Sequence, residues 1–508
     1  MTNTYILPLT SVISKCINIS FSIGCSNGGD RDWETLQRTA NRGSVPTGYD
    51  IDNSVKLQPS GVNTEFFIRT VSSAGSRTTG TISMWLKRTE PTETQYIFEM
   101  GNTDNDDGRL FARFNTDKTM TIATGSTSLR ITDREFRDCT AWYHIMVAVD
   151  TTQSTADNRV RLYINGVEET SFSTKNNYSE DGLTGLNFQK QTIGYSAIDS
   201  AGGFSGYMAE VLIVDGTQLS PTDVGEFDSD SGIWIPKDLS DISVGTNGSY
   251  LKFENPSSMG AATTGNALPV QNVNQNDQAT DVPTNNFCIG NALVNLQPGG
   301  EDSQLLGQGG TNFSNPSGQN WQSITATFAV SKGKWYWEFA TNGTGAFVGI
   351  ADIDDDKIPS NVNGYFLGAD DNDSATTKSL GMYSLNGVIY NDNTGATGLS
   401  YDSTKIVGVA LDMDNEKIYF AVDNTWANSA DPAAGTNGAA WNSSWSDTVY
   451  PAFSCAQNND VDVNYGGFSN TGNYDNRTNS DANGYGLFKY APPSGFYALC
   501  TKNLAEEG

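Results

Sequence analysis

Short apolar runs dominate the sequence from about Tyr49 onward, and clusters of Gly, Asn, Asp and Ser separate them. Runs such as TISMWLKR, YIFEM, LFARF and MTIAT contain alternating inward and outward residues. Alternation with a period of two places one set of side chains in a core and the other toward solvent, as in a β-strand. The pattern therefore predicts an all-β protein built from antiparallel β-sandwiches.

The length of 508 residues exceeds that of one ordinary domain, so we expect two folded units with connecting segments. Only 17% of the residues are charged, and Gly, Tyr and Phe are abundant, which favours turns and pleated strands over charged amphipathic helices. The net charge of -28 repels phosphate backbones and anionic bilayers. We therefore expect no nucleic-acid partner and no membrane insertion.

The first 51 residues lack the strand pattern of the rest of the chain. The opening MTNTYILPLTSVISKCINIS has no basic segment before its apolar residues, so it matches a signal peptide poorly. A stretch of such mixed polarity cannot bury itself, and we expect it to dock onto another chain. Residues 1–51 are therefore predicted to form an anchoring arm.

The segment AWYHIMVAVDTTQSTADNRVRLYINGVEE shows the strongest strand pattern. It predicts strands over residues 142–149 and 159–164, followed by a tight hairpin turn at Asn165 and Gly166. A third run, FSGYMAEVLIVDG, is apolar on both sides of a strand. It places on one face Phe204, Tyr207, Ala209, Val211 and Ile213, and on the other Met208, Leu212 and Val214.

These three runs, in this order, resemble the core signature of laminin-G/concanavalin-A-like jelly rolls, and the resemblance implies such a domain over residues 52–216. Residues 217–284 are predicted as a packed extension followed by a linker rich in Asn, Gln and Thr. Downstream, KWYWE, VGIA, YSLNG, VGVALDMDNEKIYF and YPAF occur in the order of a SPRY domain. This resemblance implies a SPRY-like sandwich over residues 285–500, with a tail at 501–508.

The tandem, together with SPTDVGEFDSDSGIWIPK and DVPTNNFC between the two modules, is similar to proteins encoded by tailed bacteriophages, especially marine ones. The resemblance implies a homo-oligomeric protein on the virion surface, in a tail, fibre or capsid decoration, with its arm bound to other virion proteins. The leading hypothesis for its role is non-covalent attachment to a host-surface glycan or protein through loops of the sandwiches. The alternatives are a purely structural component that locks neighbouring subunits and, second, a polysaccharide depolymerase.

Enzymatic residues are not evident in the sequence. A Ser or Cys hydrolase with a histidine base would depend on His144, which lies in the middle of a predicted strand and is expected to be structural. Glycoside hydrolysis needs two facing carboxylates. The nearest acidic string, at residues 226–230 (EFDSD), is better explained as a surface turn. We therefore expect a protein that is not an enzyme.

Aromatic residues in loops are the best candidates for ligand binding, because aromatic faces stack on the apolar faces of sugars. Those surrounded by Asn and Ser are Trp426, Trp441, Trp445 and Tyr474. Trp335 and Trp337 lie on a predicted strand and are expected in the core. The segment NVNGYFLGADDNDSATTKS is an alternative contact surface for a protein partner.

Two Asp-rich strings could bind Ca²⁺ through several loop oxygens, although Asp-rich turns are common in acidic proteins simply because they are solvated. Their carboxylates are Asp104, Asp106 and Asp107 in NTDNDDG, and Asp352, Asp354, Asp355 and Asp356 in ADIDDDK. Asp412, Asp414 and Glu416 in DMDNEK fit a hairpin turn without a metal. The six cysteines form no CxxC pair, so we expect neither a zinc site nor a dense disulfide framework.

Overall fold

The computed structural model describes most of the chain after residue 47. The described residues are 48–59, 64–101, 108–293, 306–315, 321–355, 358, 365–370, 377–391, 394–441, 445–468 and 477–508. Strands make up 43% of the structure and helices 6%, which confirms the all-β prediction. None of the helices in these ranges combines the length and apolar character needed to cross a membrane.

Nineteen strands belong to the first half of the described chain. They are β1 (Ser54–Leu57), β2 (Phe66–Thr70), β3 (Thr79–Arg88), β4 (Gln95–Gly101), β5 (Arg109–Phe114), β6 (Met120–Thr124), β7 (Thr127–Thr132), β8 (Tyr143–Asp150), β9 (Val160–Ile164), β10 (Val167–Glu168), β11 (Phe172–Lys175), β12 (Lys190–Ile193), β13 (Gly206–Asp215), β14 (Gly225–Phe227), β15 (Trp234–Pro236), β16 (Ser249–Leu251), β17 (Thr264–Gly265), β18 (Val270–Gln271) and β19 (Gln278–Ala279). A short helix, α1 (Pro221–Val224), precedes β14.

The second half of the described chain contains the remaining strands. They are β20 (Leu306–Gly307), β21 (Asn312–Asn315), β22 (Trp321–Thr325), β23 (Lys334–Thr341), β24 (Ala346–Asp352), β25 (Tyr365–Phe366), β26 (Ala369–Asp370), β27 (Ser379–Tyr383), β28 (Val388–Asn391), β29 (Thr394–Thr397), β30 (Val407–Asp412), β31 (Lys417–Val422), β32 (Thr425–Trp426), β33 (Ala439–Ala440), β34 (Val449–Ala456), β35 (Asn459–Asn464) and β36 (Tyr497–Ala498). The chain ends in helix α2 (Thr501–Glu507).

Two sheets face each other in the first sandwich. One has the order β10-β9-β8-β3-β13-β1-β19, with β16 beside β13 and β17 beside β16. The other has the order β11-β7-β6-β5-β4-β12-β2-β18. Alternate residues of each strand meet between the sheets in one apolar core, which includes Ile82, Ile97, Leu110 and Val147.

The second sandwich repeats this plan with its own core. One sheet has the order β20-β21-β35-β23-β30-β31-β32, with β33 beside β31 and β36 parallel to β23. The other has the order β22-β34-β24-β27-β28-β29. Trp335 and Trp337 are fully buried between the two sheets, as predicted from their positions on a strand.

The structure differs from the predicted linker within residues 217–284. Strand β18 pairs with β2, and β19 pairs with β1, so this segment supplies edge strands of the first sandwich. Short edge strands are held mainly by backbone hydrogen bonds, so they need few apolar side chains. Their sequence is therefore as polar as that of a linker. The predicted tail also differs, since α2 buries Asn503 and Leu504 against the second sandwich.

Direct contacts join the two sandwiches. The Tyr207 hydroxyl donates to the Gly309 carbonyl at 2.9 Å. The buried Lys56 Nζ, on β1 of the first sandwich, lies 3.0 Å from the Gln308 amide oxygen of the second. Because these groups are buried and paired, the contacts restrict the relative motion of the two sandwiches.

Candidate ligand-binding surface

The loop tryptophans predicted to bind ligand occupy different environments. Trp441 and Trp445 are only 8% and 7% exposed, and their rings stack at 6.0 Å within the core of the second sandwich. Their faces are therefore covered by the protein itself, in contrast to the predicted exposure. Trp426 is half-buried at the end of β32. Tyr474 lies outside the described residues.

The second Asp-rich string forms a turn held by hydrogen bonds. Asp352 is buried and accepts from the Asp354 backbone N–H at 2.7 Å and from the Ser446 hydroxyl at 3.0 Å. Asp355 accepts from the Ile358 backbone N–H at 3.2 Å. Over the described ranges, no three His, Cys, Asp or Glu side chains are grouped as metal ligands. Outside those ranges lie Asp104, Asp106, Asp107 and Asp356, so a calcium site stays a prediction.

A cluster of five aromatic rings, here called the aromatic surface, lies on the outer face of the second sandwich. Its members are Trp321, Phe347, Phe366, Tyr383 and Tyr390. Phe347 is buried at the centre, between Tyr383 at a centroid distance of 4.5 Å and Phe366 at 4.6 Å. The three rings are nearly parallel, with interplanar angles of 8° and 19°.

Two further rings meet this stack by their edges. Trp321, on the edge strand β22, lies 5.2 Å from Phe347 at an angle of 67°. Tyr390 lies 5.5 Å from Phe347 at 72°. The four rings around Phe347 are all partly exposed. Stacked and edge-on pairs are the favoured arrangements of aromatic rings, so the cluster is held in a fixed shape.

The sequence of β24, AFVGIAD, explains why the stack faces outward. Val348 and Ile350 point into the core, so Phe347 points to the opposite side of the sheet. The hairpin β25–β26 then covers part of this side. Leu367 is buried there, and a Cβ atom on Gly381 would lie only 2.7 Å from the Leu367 Cβ. Glycine at position 381 is thus required for the hairpin to hold Phe366 over Phe347.

Sequence reasoning missed the aromatic surface, although part of its signal was present. Tyr383 and Tyr390 flank the turn in MYSLNGVIY, at strand positions that alternate with the core residues Met382 and Ile389. Outward-facing aromatic residues on neighbouring strands could have been identified from this alternation. Burial raises the pKa of Tyr383, so its hydroxyl stays protonated and can donate a hydrogen bond.

His144 is a buried residue of the first sandwich. It is buried on β8, its Nε2 atom lies 2.9 Å from the Ser83 hydroxyl, and its ring contacts Trp85 and Trp234. Burial lowers its pKa to about 3, because the charged imidazolium form loses its hydration inside the protein. This environment is that of a neutral core residue.

We expect the ring-proton chemical shifts of His144 to stay constant from pH 5 to pH 8. His144 is the only histidine in the chain, so its NMR resonances can be identified without assignment of the whole protein. The same protein unfolded in urea provides the control, with a histidine pKa of about 6.5. A titration of the folded protein between pH 5 and pH 8 would contradict the buried, neutral state.

Carboxylates on the outer face of the β4-containing sheet are paired with arginine. Arg109 Nη2 lies 2.8 Å from Glu99 Oε2 and 2.6 Å from Asp199 Oδ2. Burial alone would raise the pKa of Asp199, but its hydrogen bonds, foremost that from Arg109, outweigh this effect and lower the pKa, so this carboxyl group is poorly suited to act as a general acid. In the acidic string at 226–230, Glu226 is on strand β14 and forms an ion pair with Lys237 at the surface.

Two family models match separate parts of the chain. Residues 61–225 match the concanavalin A-like lectin/glucanases superfamily, and residues 334–468 match the SPRY domain. The curated proteins include no significant match. Solved structures of low sequence identity are also similar to parts of the chain.

One is the SPRY domain of human HERC1, at 17% identity and a TM-score of 0.23, covering 30% of this chain and 87% of that chain. Another is the heptameric SAP-like pentraxin of Limulus polyphemus, at 16% identity and a TM-score of 0.27, covering 34% of this chain and 81% of that chain. Both scores are too low to support a conclusion about function. The two family matches show that the chain contains a concanavalin-A-like domain and a SPRY domain in tandem, folds typical of carbohydrate or protein binding.

Proposed function

We propose that this protein binds a host-surface glycan, without covalent chemistry, through the aromatic surface of its SPRY domain. The observation that carries the proposal is the fixed group of partly exposed rings around Phe347. A preformed binding surface loses little conformational entropy when a ligand binds, which favours recognition of a flexible glycan.

The chemistry of the rings favours a sugar over a wholly apolar ligand. A sugar ring presents an apolar C–H face and a rim of hydroxyl groups, so its binding site needs both aromatic faces and hydrogen-bonding groups. Trp321, Tyr383 and Tyr390 combine the two, because each has an apolar ring with a polar N–H or O–H group. An exclusively hydrophobic partner would leave these polar groups without a hydrogen bond.

We further propose that the binding protein belongs to a tailed-bacteriophage virion. The support is the resemblance of the tandem domains and of the motifs between them to phage proteins. In this proposal the arm at residues 1–51 anchors a homo-oligomer to other virion proteins, and the two sandwiches extend from the particle surface. Mass spectrometry of purified particles tests this setting independently of any ligand.

Replacing Trp321 with Ala is expected to weaken glycan binding about tenfold, which corresponds to about 1.4 kcal/mol of lost stacking. Binding of the purified full chain to a bacterial glycan array and to host cells provides the measurement. Trp426→Ala is the matched control, because Trp426 is a partly exposed tryptophan on the other sheet of the same domain. Melting temperatures of both variants should confirm that each stays folded during the assay.

The outcome of the same experiment decides between the candidate functions. Equal loss of binding in both variants, or loss in Trp426→Ala alone, would argue against the aromatic surface. Release of sugar during incubation would support a depolymerase. Absence of binding to cells and glycans alike would favour a purely structural role in the particle. Repeating the assay with calcium and with a chelator tests whether the Asp-rich strings contribute a metal site.

A further inference from the structure

We propose that Lys87 and Asn286 become joined by an isopeptide bond, with Asp281 transferring the protons. Such a bond is an amide between two side chains. Asp281 and Asn286 belong to the DVPTNNFC motif, which the proposed glycan-binding site does not use. This motif forms a turn between the two domains, here called the junction turn (residues 281–287). Backbone hydrogen bonds between Val282 and Asn285 close the turn.

Lys87 reaches the junction turn from strand β3 of the first sandwich and is completely buried. Its Nζ atom lies 2.6 Å from Asn286 Oδ1 and 2.7 Å from Asp281 Oδ2. It also lies 2.9 Å from the Phe287 carbonyl oxygen. An amine, a carboxamide and a carboxyl group therefore meet at one buried point.

The amine is close to the carbon atom that it would attack. A carbonyl bond is about 1.23 Å long, so the Cγ atom of Asn286 lies within about 3.8 Å of Lys87 Nζ. Reacting atoms in a productive arrangement are about 3–3.5 Å apart. A small rotation of the Lys87 side chain would move Nζ out of the plane of the Asn286 amide and over the face of its carbonyl group. This movement would bring Nζ within reacting distance of Cγ.

The surroundings favour neutral reactants. Asp281 is 1% exposed, and burial raises its pKa despite the nearby Lys87 cation. The aromatic ring of Tyr207 lies 5.7 Å from Lys87 Nζ, and the Trp142 indole donates to Asp281 Oδ1 at 3.2 Å. A site with so little water stabilises charges poorly. Transfer of a proton from Lys87 to Asp281 then leaves a nucleophilic amine beside a neutral carboxylic acid.

The reaction balances without a cofactor or an oxidant. The neutral Lys87 amine attacks the Asn286 Cγ atom to form the new C–N bond. Asp281 gives its proton to the departing Nδ2 atom and takes one from Nζ. The bond between Cγ and Nδ2 breaks, and one ammonia molecule leaves. The products are a neutral amide between the two side chains, a protonated Asp281 and free ammonia.

The orientation and partial exposure of Asn286 favour the loss of ammonia. Its Nδ2 atom donates to the Thr140 carbonyl oxygen at 2.6 Å, which fixes the plane of the amide. Asn286 is half-buried, whereas Lys87 and Asp281 are buried. The new bond would span 199 residues of sequence and tie the first domain to the start of the second.

The intact mass of the purified full chain tests the proposal directly. We expect it to be lower than the mass of the sequence by one ammonia. Tandem mass spectrometry of a tryptic digest should show a peptide containing Lys87 covalently joined to the peptide containing Asn286. The unmodified mass, with Lys87 and Asn286 on separate linear peptides, would refute the isopeptide bond and leave a simple buried ion pair.

Substitutions distinguish this linkage from ammonia loss elsewhere in the chain. Lys87→Arg and Asn286→Ala should each have the full mass of their sequences, without a joined peptide. Asn286→Asp should lose water and reach the same final mass as the wild-type protein, because both reactions give the same amide. Persistence of the ammonia loss in Asn286→Ala would place the loss at another residue and overturn the assignment.

Discussion

Replacing Arg109 with Met is expected to lower the free energy of unfolding by about 3–5 kcal/mol. Arg109 is 3% exposed, and its guanidinium group lies between Glu99 and Asp199 on the outer face of the first sandwich. Glu99 is 2% exposed, so removal of Arg109 leaves a carboxylate inside the protein without its main counter-charge. Urea unfolding of the full chain, followed by circular dichroism, measures the change.

Arg113→Met provides the matched control on the same strand. Arg113 contacts the Tyr96 hydroxyl at 3.0 Å and is partly exposed, so its removal should cost no more than about 1.5 kcal/mol. Adding Glu99→Gln to the Arg109→Met variant should recover part of the lost stability, since no uncompensated buried charge then remains at position 99. Equal effects of the two single substitutions would contradict a special role of the buried ion pair.

Local strand patterns in the sequence predicted several elements to within a few residues. The pattern predicts strands over residues 142–149 and 159–164, and β8 and β9 lie at Tyr143–Asp150 and Val160–Ile164. Asn165 and Gly166 have the positive φ angles, 48° and 77°, that the predicted turn requires. These features depend on neighbouring residues alone, which is why alternation and turn chemistry were sufficient to find them.

The facing of β13 was predicted only in part, because a bulge changes its alternation. Val211 and Ile213 were expected on the same face as Tyr207 and Ala209. In the structure Val211 and Ile213 instead point into the core with Met208. The register shifts between Ala209 and Leu212, and the extra residue reverses the facing of the remainder of the strand. The alternation of apolar residues in the sequence does not predict such a shift in register.

The candidate site was the part least accessible to sequence reasoning. Trp441 and Trp445 are in loop segments, but the loops fold inward and place both rings in the core. The aromatic surface depends instead on contacts between distant segments, since Trp321 and Phe347 meet across β22, β34 and β24. The hairpin that carries Phe366 must also fold back over the same sheet. Burial of a loop and convergence of separate strands depend on tertiary contacts, so local sequence patterns do not predict them.

The bulge in β13 also places the carboxyl group of Glu210 in an unusual environment. Glu210 has a φ angle of 51° and is 2% exposed. The Tyr250 hydroxyl donates to its Oε2 atom, whereas its Oε1 atom has no hydrogen-bond partner among the residues that the structure describes. Burial raises the pKa of Glu210 to about 7; Tyr250 and Lys252 oppose this rise, and Asp238 and Glu254 add to it. Glu210 is therefore protonated in the folded protein at pH values where it is ionised in the unfolded chain.

We expect Glu210→Gln to remove a pH-dependent loss of stability of about 3 kcal/mol. Between pH 4.5 and about pH 7 the folded state binds more protons at this site than the unfolded state, so the free energy of unfolding falls as the pH rises. Below pH 4.5 both states are protonated, and above about pH 7 both are ionised, so the contribution is constant in each range. Glutamine is neutral throughout and should lack this decline.

Urea unfolding of both proteins at several pH values from 4.5 to 8 measures the effect. Glu90 and Asp462 also have pKa values raised to about 7 by burial. The pH dependence of stability in the wild-type protein therefore contains their contributions as well. The difference in the free energy of unfolding between wild type and Glu210→Gln isolates the contribution of position 210. The variant should become increasingly more stable than the wild type as the pH rises to 7. Parallel profiles would show that Glu210 has an ordinary pKa in the folded protein.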